Sequence, residues 1–428
     1  MVGSRDTLYW NFILDEDDGK YTENITMTGT KFSNQLPKGV TIQQVHPDHL
    51  ALIALLVSHP FIANSIIIPW NVSAKFAESC SKISKYDVVF DDTSFEPYSP
   101  SMNSRPGLAF SGGADSTASL LVMPNNTLSV FMDRPLKKKA SMYNKSAAYA
   151  TIKHAKDCGF DTLSLECDVE YVRKPLGFPT DLVPSIPIIA LASSHNIDCI
   201  AFGTVMESAY RIGHENARDY ASSQHFTFWG RMFASAGLPL YLPVSGVSEV
   251  GTSIIVLKSS FHPYTRSCIR GGWPNACENC WKCFRKNMLD ARIKGNEIGD
   301  TYLLKGLGIS EVQRKMQAFP VSHENVLAWS LKHSSGKTSS IVKQRLEGSY
   351  RDLEFLETYF PGALDLMPEQ YRKETRLRLE EYLKPMLEQH WTKITSHSMT
   401  PWLESNDALH AKKQFDEFMS NHYPEFYQ

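Results

Sequence analysis

The stretch from Gly107 to Leu121, GLAFSGGADSTASLL, constrains the fold more than any other part of this chain. A short apolar run, Leu108-Ala109-Phe110, stops at Ser111-Gly112-Gly113-Ala114-Asp115-Ser116, and a helix-suited segment with Ala118, Leu120 and Leu121 follows. Strand, glycine turn, helix is an arrangement that aims free backbone N–H groups at an anion. Glycines let the backbone approach phosphate oxygens with no Cβ in the way. Ser111 and Ser116 can add hydroxyl donors, and Ser116 or Thr117 can cap the helix. Asp115 is out of place beside phosphates unless it fixes the loop or holds a magnesium ion.

At 428 residues the chain is long enough for two or three domains. Lys plus Arg number 44 and Asp plus Glu 46, so the net charge of −2 gives no global attraction to nucleic acid or anionic membrane. No apolar run approaches the roughly 20 residues of a membrane-spanning helix. Asp6, Asp15, Glu16, Asp17 and Asp18 exclude a signal peptide from the first residues. Eight cysteines without an export signal point to a reducing cytoplasm rather than a disulfide framework.

Residues 1–104 read as a small α/β domain. It has a strand at Thr7–Leu14, a buried helix at Leu50–Ile62, strands at Ser65–Pro69 and Tyr86–Phe90, and helical character over Ser73–Lys85. His46 and His49 read as exposed or core histidines rather than ligands. The Pro- and Ser-rich stretch Pro97–Pro106 reads as a linker. Residues 105–298 alternate strands and helices, as a parallel α/β sheet does. Leu128–Met132 is a strand ending at Asp133, a helix covers Ala140–Cys158, and a strand covers Thr162–Cys167. Pro184–Ser194 is helical, and a strand over Ile197–Gly203 closes at Gly203-Thr204. Ligands in such sheets sit at the carboxyl ends of strands, so Phe131–Asp133 reads as a floor for adenine or ribose. Lys137-Lys138-Lys139 reads as a solvated face. The segment Glu207–Trp229 holds Glu207, Tyr210, Arg211, His214, Glu215, Arg218, Asp219, Gln224 and His225. It is either a solvated loop or the substrate pocket.

Half of the cysteines lie close together: Cys268, Cys277, Cys280 and Cys283, spaced C-x8-C-x2-C-x2-C. Zinc takes four soft ligands in a tetrahedron, C-x2-C turns bring two thiolates to one point, and four thiolates make a closed, structural site. Cys80, Cys158, Cys167 and Cys199 sit in apolar contexts and read as core residues. Residues 299–428 form a helix-rich domain. Leu379, Tyr382, Leu383 and Met386 can share one helical face for core packing. Ser334–Ser339 contains Gly-Lys-Thr without Walker spacing and reads as a loop.

Ser-Gly-Gly-Ala-Asp-Ser resembles the SGGxDS signature of the ATP pyrophosphatase (PP-loop) superfamily. Followed about 150 residues later by the cysteine cluster, it resembles the 7-cyano-7-deazaguanine synthase (QueC-like) family over Gly107–Arg285. QueC-like chains with extensions resemble proteins of bacterial antiphage operons, the QatC type among them. The resemblance implies a PP-loop parallel sheet with a four-cysteine zinc site, flanked here by an N-terminal α/β and a C-terminal helical extension. It further implies an AMP-forming ligase using ATP, Mg2+ and Zn2+. Such an enzyme adenylates a carboxylate, 7-carboxy-7-deazaguanine in that family, and passes the acyl group to an amine. On this reading Ser111, Gly112, Gly113, Asp115, Ser116, Asp133 and Gly203 bind ATP. Asp115, Ser116 and Arg218 serve catalysis, and the four clustered cysteines bind zinc. Where the family carries Pro-Gly-Arg-Asn this chain has Val183-Pro184-Ser185-Ile186. In place of Tyr-Pro-Asp-Cys-Arg it has Glu215-Asn216-Ala217-Arg218-Asp219. The added domains suggest an operon-encoded protein partner, whose amine rivals ammonia as acceptor. RNA thiolation and a non-catalytic nucleotide-binding subunit are the alternative functions.

Overall fold

A five-stranded parallel sheet lies at the centre of the computed structural model, which describes residues 6–136, 143–346 and 352–426. Ahead of it, β1 (Thr7–Asn11), β2 (Lys20–Thr22), β3 (Ile25–Met27) and β4 (Lys31–Gln35) make two antiparallel ladders, β1 with β4 and β2 with β3. Helix α1 (Pro47–Ser58) starts earlier than its apolar run because Pro47 suits a first helical position and His46 Nδ1 accepts the Asp48 N–H at 3.2 Å. It ends before His59-Pro60-Phe61. Next, β5 (Ser65–Ser73) and β6 (Asp87–Phe95) pair in parallel around α2 (Ala74–Ser81). His49 is a core histidine: its Nε2 lies 3.1 Å from the Ala236 carbonyl, and burial brings its pKa down to about 3. The Pro- and Ser-rich stretch is anchored, since the Tyr98 hydroxyl reaches the carbonyls of Ala192 (3.0 Å) and Ile197 (2.8 Å).

The central alternation runs β7 (Arg105–Ala109), α3 (Ala114–Val122), β8 (Leu128–Asp133), α4 (Ser146–Asp157), β9 (Thr162–Glu166) and β10 (Arg173–Lys174). It continues with α5 (Ile186–Leu191), β11 (Ile197–Ala201), α6 (Met206–Ala209), α7 (Gln224–Ser235), β12 (Leu240–Tyr241), α8 (Glu249–Leu257) and α9 (Trp281–Ile293). The sheet order is β12-β11-β7-β8-β9. Its strands are apolar on both sides. Val130 and Met132 join the cluster containing α1 and α5, while Leu108, Phe110 and Phe131 join a second cluster with α4. The N-terminal ladders continue the β9 edge: the Ser33 N–H donates to Asp168 Oδ1 at 2.6 Å, and β10 pairs with β3. Helix α4 is described from Ser146. The Lys137–Lys139 run and the expected helix start at Ala140 lie outside the described residues.

The tail is helical, as expected: α10 (Asp300–Leu307), α11 (Ser310–Gln317), α12 (Glu324–Leu331), α13 (Lys337–Gln344), α14 (Glu369–Glu380), α15 (Thr392–Thr395), α16 (Thr400–Leu403) and α17 (Asn406–His422). Helix α14 belongs to the layer over the sheet. Tyr371 stacks on Tyr241 with centroids 5.3 Å apart and donates to Asp198 Oδ2 at 2.7 Å. Leu379 and Leu383 pack with Ala118 and Val122 of α3. Leu383 and Met386 are buried but follow the helix rather than extend it. The Gly-Lys-Thr segment departs from the loop expectation, since Lys337 begins α13. The Asp300 carboxylate takes the N–H groups of Thr338 (3.1 Å) and Ser339 (3.0 Å), so a carboxylate of the chain already fills that helix start. Among the described residues no helix is long and apolar enough to cross a membrane.

Candidate functional site

Strand β7 connects through α3 to β8 on one side, while its other neighbour, β11, connects through α6 and α7 to β12 on the opposite side. That is a topological switch point, where connections diverge and leave a crevice. A cavity of ≈ 380 Å³ opens there. Its walls include Ser111, Gly113, Asp115 and Ser116 after β7, and Gly203 and Thr204 after β11. The ligand floor expected at Phe131–Asp133 is on the other side of β7. Asp133 does not line this cavity. Its oxygens are taken by Lys145 Nζ at 2.5 Å and the Tyr149 hydroxyl at 2.7 Å.

The loop is held from within. Gly112 turns at φ +71, where a Cβ would meet the Ala148 backbone at 3.2 Å. Ser111 N–H donates to Ser116 Oγ at 3.2 Å, the two hydroxyls lie 2.9 Å apart, and Ser116 Oγ donates to the Gly113 carbonyl at 3.2 Å. Gly203 presses on the first turn of α3: a Cβ there would lie 2.8 Å from Ser116 N and 2.9 Å from the Asp115 carbonyl carbon. Ser73, Ser223, Ser248 and Ser405 cap their helices through their hydroxyls, whereas α3 begins at Gly113, which has no side chain to do so. Among the described residues the N–H groups of Gly112, Ala114, Asp115 and Ser116 find no acceptor. Three of these residues, Ala114, Asp115 and Ser116, line the cavity, and unpaired donors at a helix start are an arrangement that suits an anion.

Asp115, half-buried, accepts the Thr252 hydroxyl at 2.8 Å through Oδ1, and Oδ2 accepts no hydrogen bond among the described residues. Lys282 lies in the wall of the same cavity. Sequence reasoning points to neither Thr252 nor Lys282. Lys282 did carry a signal, since any residue inside a C-x2-C turn is placed by whatever the two cysteines hold. Of the polar segment 207–229, the structure brings Ser208, Arg218, Tyr220 and His225 to the cavity. Arg218 Nε donates to the Ala209 carbonyl at 3.0 Å and Nη2 to that of Ser208, so the guanidinium largely braces its own loop. The tail braces it too. Ala217 N–H donates to the His397 carbonyl at 2.7 Å, and the Glu215 carbonyl accepts Met399 N–H at 2.7 Å.

Glu207 is buried behind the cavity. Its oxygens accept the Glu249 N–H at 3.0 Å and Asn325 Nδ2 at 2.9 Å. Burial first, and then the Glu249 charge, push its pKa up to about 8. Glu249 goes the other way despite its burial, because Lys286 (3.1 Å), Arg285 and His323 (3.0 Å) surround it. An acid raised on folding stabilises the fold fully below its unfolded pKa and loses that contribution as pH rises through the folded value. Wild-type stability should therefore fall, relative to Glu207→Gln, between pH 4.5 and about 8, with a slope of up to ~1.4 kcal/mol per pH unit. Urea melts at several pH values check this, and parallel curves for the two proteins would overturn it.

The sulfurs of Cys268, Cys277, Cys280 and Cys283 lie within 4.8 Å of one another, and those of Cys277 and Cys283 are 3.7 Å apart. Zn–S bonds of about 2.3 Å in a tetrahedron place sulfurs roughly 3.8 Å apart, so the group can hold a metal such as zinc. Gly271 is required locally, since a Cβ would lie 2.2 Å from Cys277 N. Cys280 Sγ also caps α9, accepting Cys283 N–H at 3.4 Å. Cys80, Cys167 and Cys199 are buried, as expected. Cys158 is not: it follows the last residue of α4 and is exposed, 3.4 Å from His154 Nε2.

The fold and site thus define a mixed α/β protein with a parallel sheet, an open helix start at its switch point, and a four-cysteine group beside it. The model of a family of unknown function, DUF6395, matches residues 228–398. That span contains Thr252, Lys282 and the four clustered cysteines, and begins after the glycine loop. No curated protein and no solved structure matches the chain.

Proposed function

We propose that the chain is a PP-loop, AMP-forming ligase that activates a carboxylate with ATP. The observation that carries this reading is the uncapped start of α3, where Ala114, Asp115 and Ser116, whose N–H groups are unpaired among the described residues, line a cavity bordered also by Lys282. In the reaction a carboxylate oxygen bonds to the α-phosphorus, and the bond from that phosphorus to the α–β bridging oxygen breaks. Its electron pair leaves with pyrophosphate. An amine nitrogen then attacks the acyl carbon, AMP departs, and the amine gives up a proton. The loop contributes positioning and charge stabilisation, which are large terms in such transfers. The free oxygen of Asp115 would hold Mg2+, whose charge offsets that of the phosphates.

The substrate proposed from the QueC-like resemblance is 7-carboxy-7-deazaguanine, and the acceptor is ammonia or an amine of a protein partner. The tail's grip on the loop 215–217 makes the C-terminal extension part of the acceptor side. RNA thiolation is less well supported. Burial pushes the Cys167 thiol up to about 12 and that of Cys199 well above its ordinary range, while Cys158 does not line the cavity. Incubating the protein with ATP labelled at the α-phosphate, with and without the deazaguanine acid, tests the reading. AMP and pyrophosphate should form in equal amounts only with a carboxylate present. Formation of ADP, or no turnover with any carboxylate and amine tried, would overturn it.

A further inference from the structure

We infer that a second cavity, on the far side of Lys282 from the glycine loop, binds inorganic pyrophosphate. Its place in a reaction rests on the AMP-forming reading above, but the site itself is argued from its walls. The cavity measures ≈ 330 Å³ and shares Ala114, Ser267 and Lys282 with the first. It therefore begins at the first residue of α3, where the unpaired N–H groups lie.

Four cations line it: Arg266, Lys282, Lys286 and Lys294. Only one is neutralised at close range, Lys286, whose Nζ is 3.1 Å from Glu249 Oε2. Arg266 donates to the carbonyls of Thr265 (2.9 Å), His262 (3.3 Å) and Pro274 (3.4 Å), so its charge stands without a carboxylate partner. The side-chain ammonium groups of Lys282 and Lys294 have no hydrogen bond or ion pair among the described residues. Thr265 is 8% exposed, lines the same cavity, and its hydroxyl has no partner. An unpaired buried hydroxyl costs free energy unless a ligand satisfies it. The facing acids are Glu278 and Asp290, with His262 beside them. Burial raises the Asp290 pKa, and the charges of Lys286 and Lys294 act against that rise.

The chemistry selects the ligand. Val256 and Leu257 and the clustered Cys268 and Cys283 form part of the wall, and the lysine, arginine and hydroxyl groups of the remainder suit a compact polyanion. Each cavity carries two carboxylates, Asp115 and Asp181 in the first and Glu278 and Asp290 in the second. The second sets Arg266, Lys282, Lys286 and Lys294 against them where the first has Arg218 and Lys282, so a newly released polyanion finds the larger positive charge in the second. Separating pyrophosphate from the acyl adenylate in this way would also slow the reverse reaction.

Calorimetry with inorganic pyrophosphate on the full-length, zinc-loaded chain tests the site, using wild type, Lys294→Gln and Lys282→Gln, each with and without saturating AMP. Zinc content is measured for every variant, because Lys282 lies between two cysteines. Lys294 caps the far end of α9 and provides the variant remote from the metal. Pyrophosphate should bind wild type in the presence of AMP. Each substitution should weaken it by about tenfold, the loss of one charge-assisted contact, and Lys294→Gln, which does not border the first cavity, should leave AMP affinity unchanged. Absent binding, complete displacement by AMP, or equal affinity in the zinc-replete Lys294→Gln protein would overturn the inference. If pyrophosphate binds as described but no carboxylate elicits AMP, the ligase reading falls and the anion site stands. If AMP forms but the lysines do not matter, the reverse holds.

Discussion

Gly113→Val is expected to abolish ATP turnover in a chain that still folds. Gly113 sits at φ −83, ψ 170, extended backbone that any residue adopts. A Cβ there would meet nothing closer than Ser111 Oγ at 3.5 Å, so valine strains neither the backbone nor the core. What it fills is the cavity wall beside the free N–H groups of Ala114, Asp115 and Ser116, where the proposed phosphates would approach. Losing preorganised donors of this kind costs about 10²–10³-fold in rate for a single donor, and valine obstructs several together. Gly112 provides the contrast. At φ +71, with the Ala148 backbone 3.2 Å from where a Cβ would stand, Gly112→Val should cost roughly 1–3 kcal/mol of stability through backbone strain. AMP release and thermal melts on both variants separate the two roles. Unchanged AMP release by folded Gly113→Val would remove the glycine loop from the ATP site.

The glycine loop and the cysteine spacing were legible because each encodes its geometry locally. Ser111 to Ser116 folds on itself through two hydroxyls, and C-x2-C brings its sulfurs together without help from the rest of the chain. The assignment of Asp133 missed the cavity for a topological reason. An alternating βα pattern does not state which neighbour a strand takes, and the crevice opens between β7 and β11 rather than beside β8. Thr252 was illegible because it reaches Asp115 from 137 residues away. The tail's part was hidden similarly. The apolar spacing of Leu379, Tyr382, Leu383 and Met386 announced a packed face, but not that the helix would end at Glu380 or that Tyr371 would hydrogen-bond Asp198 in the central sheet. For Cys158, one position past the last turn of α4 was enough to turn an apolar context into an exposed thiol.

Loss of the metal should be as damaging as loss of the loop, and through the same wall of the site. One zinc per chain is expected to co-purify. Cys280→Ser should release it and lower stability by several kcal/mol, a large share of the ~5–15 kcal/mol that holds a typical domain folded. Two functions of Cys280 are lost together: one ligand of the four, and the thiolate that caps α9 by accepting Cys283 N–H. Helix α9 carries Lys282, Arg285 and Lys286 on its first turns: Lys282 and Lys286 line the cavities, and Arg285 and Lys286 hold Glu249. A displaced α9 start therefore strips cations from the two cavities and uncovers the buried Glu249 charge, so chelation should reduce the proposed anion binding before global unfolding. Elemental analysis of freshly purified protein, melts with and without chelator, and pyrophosphate titration at sub-denaturing chelator check the sequence of events. Less than half an equivalent of zinc, or a Cys280→Ser protein that melts with wild type, would show that the four thiols do not need a metal to hold this fold.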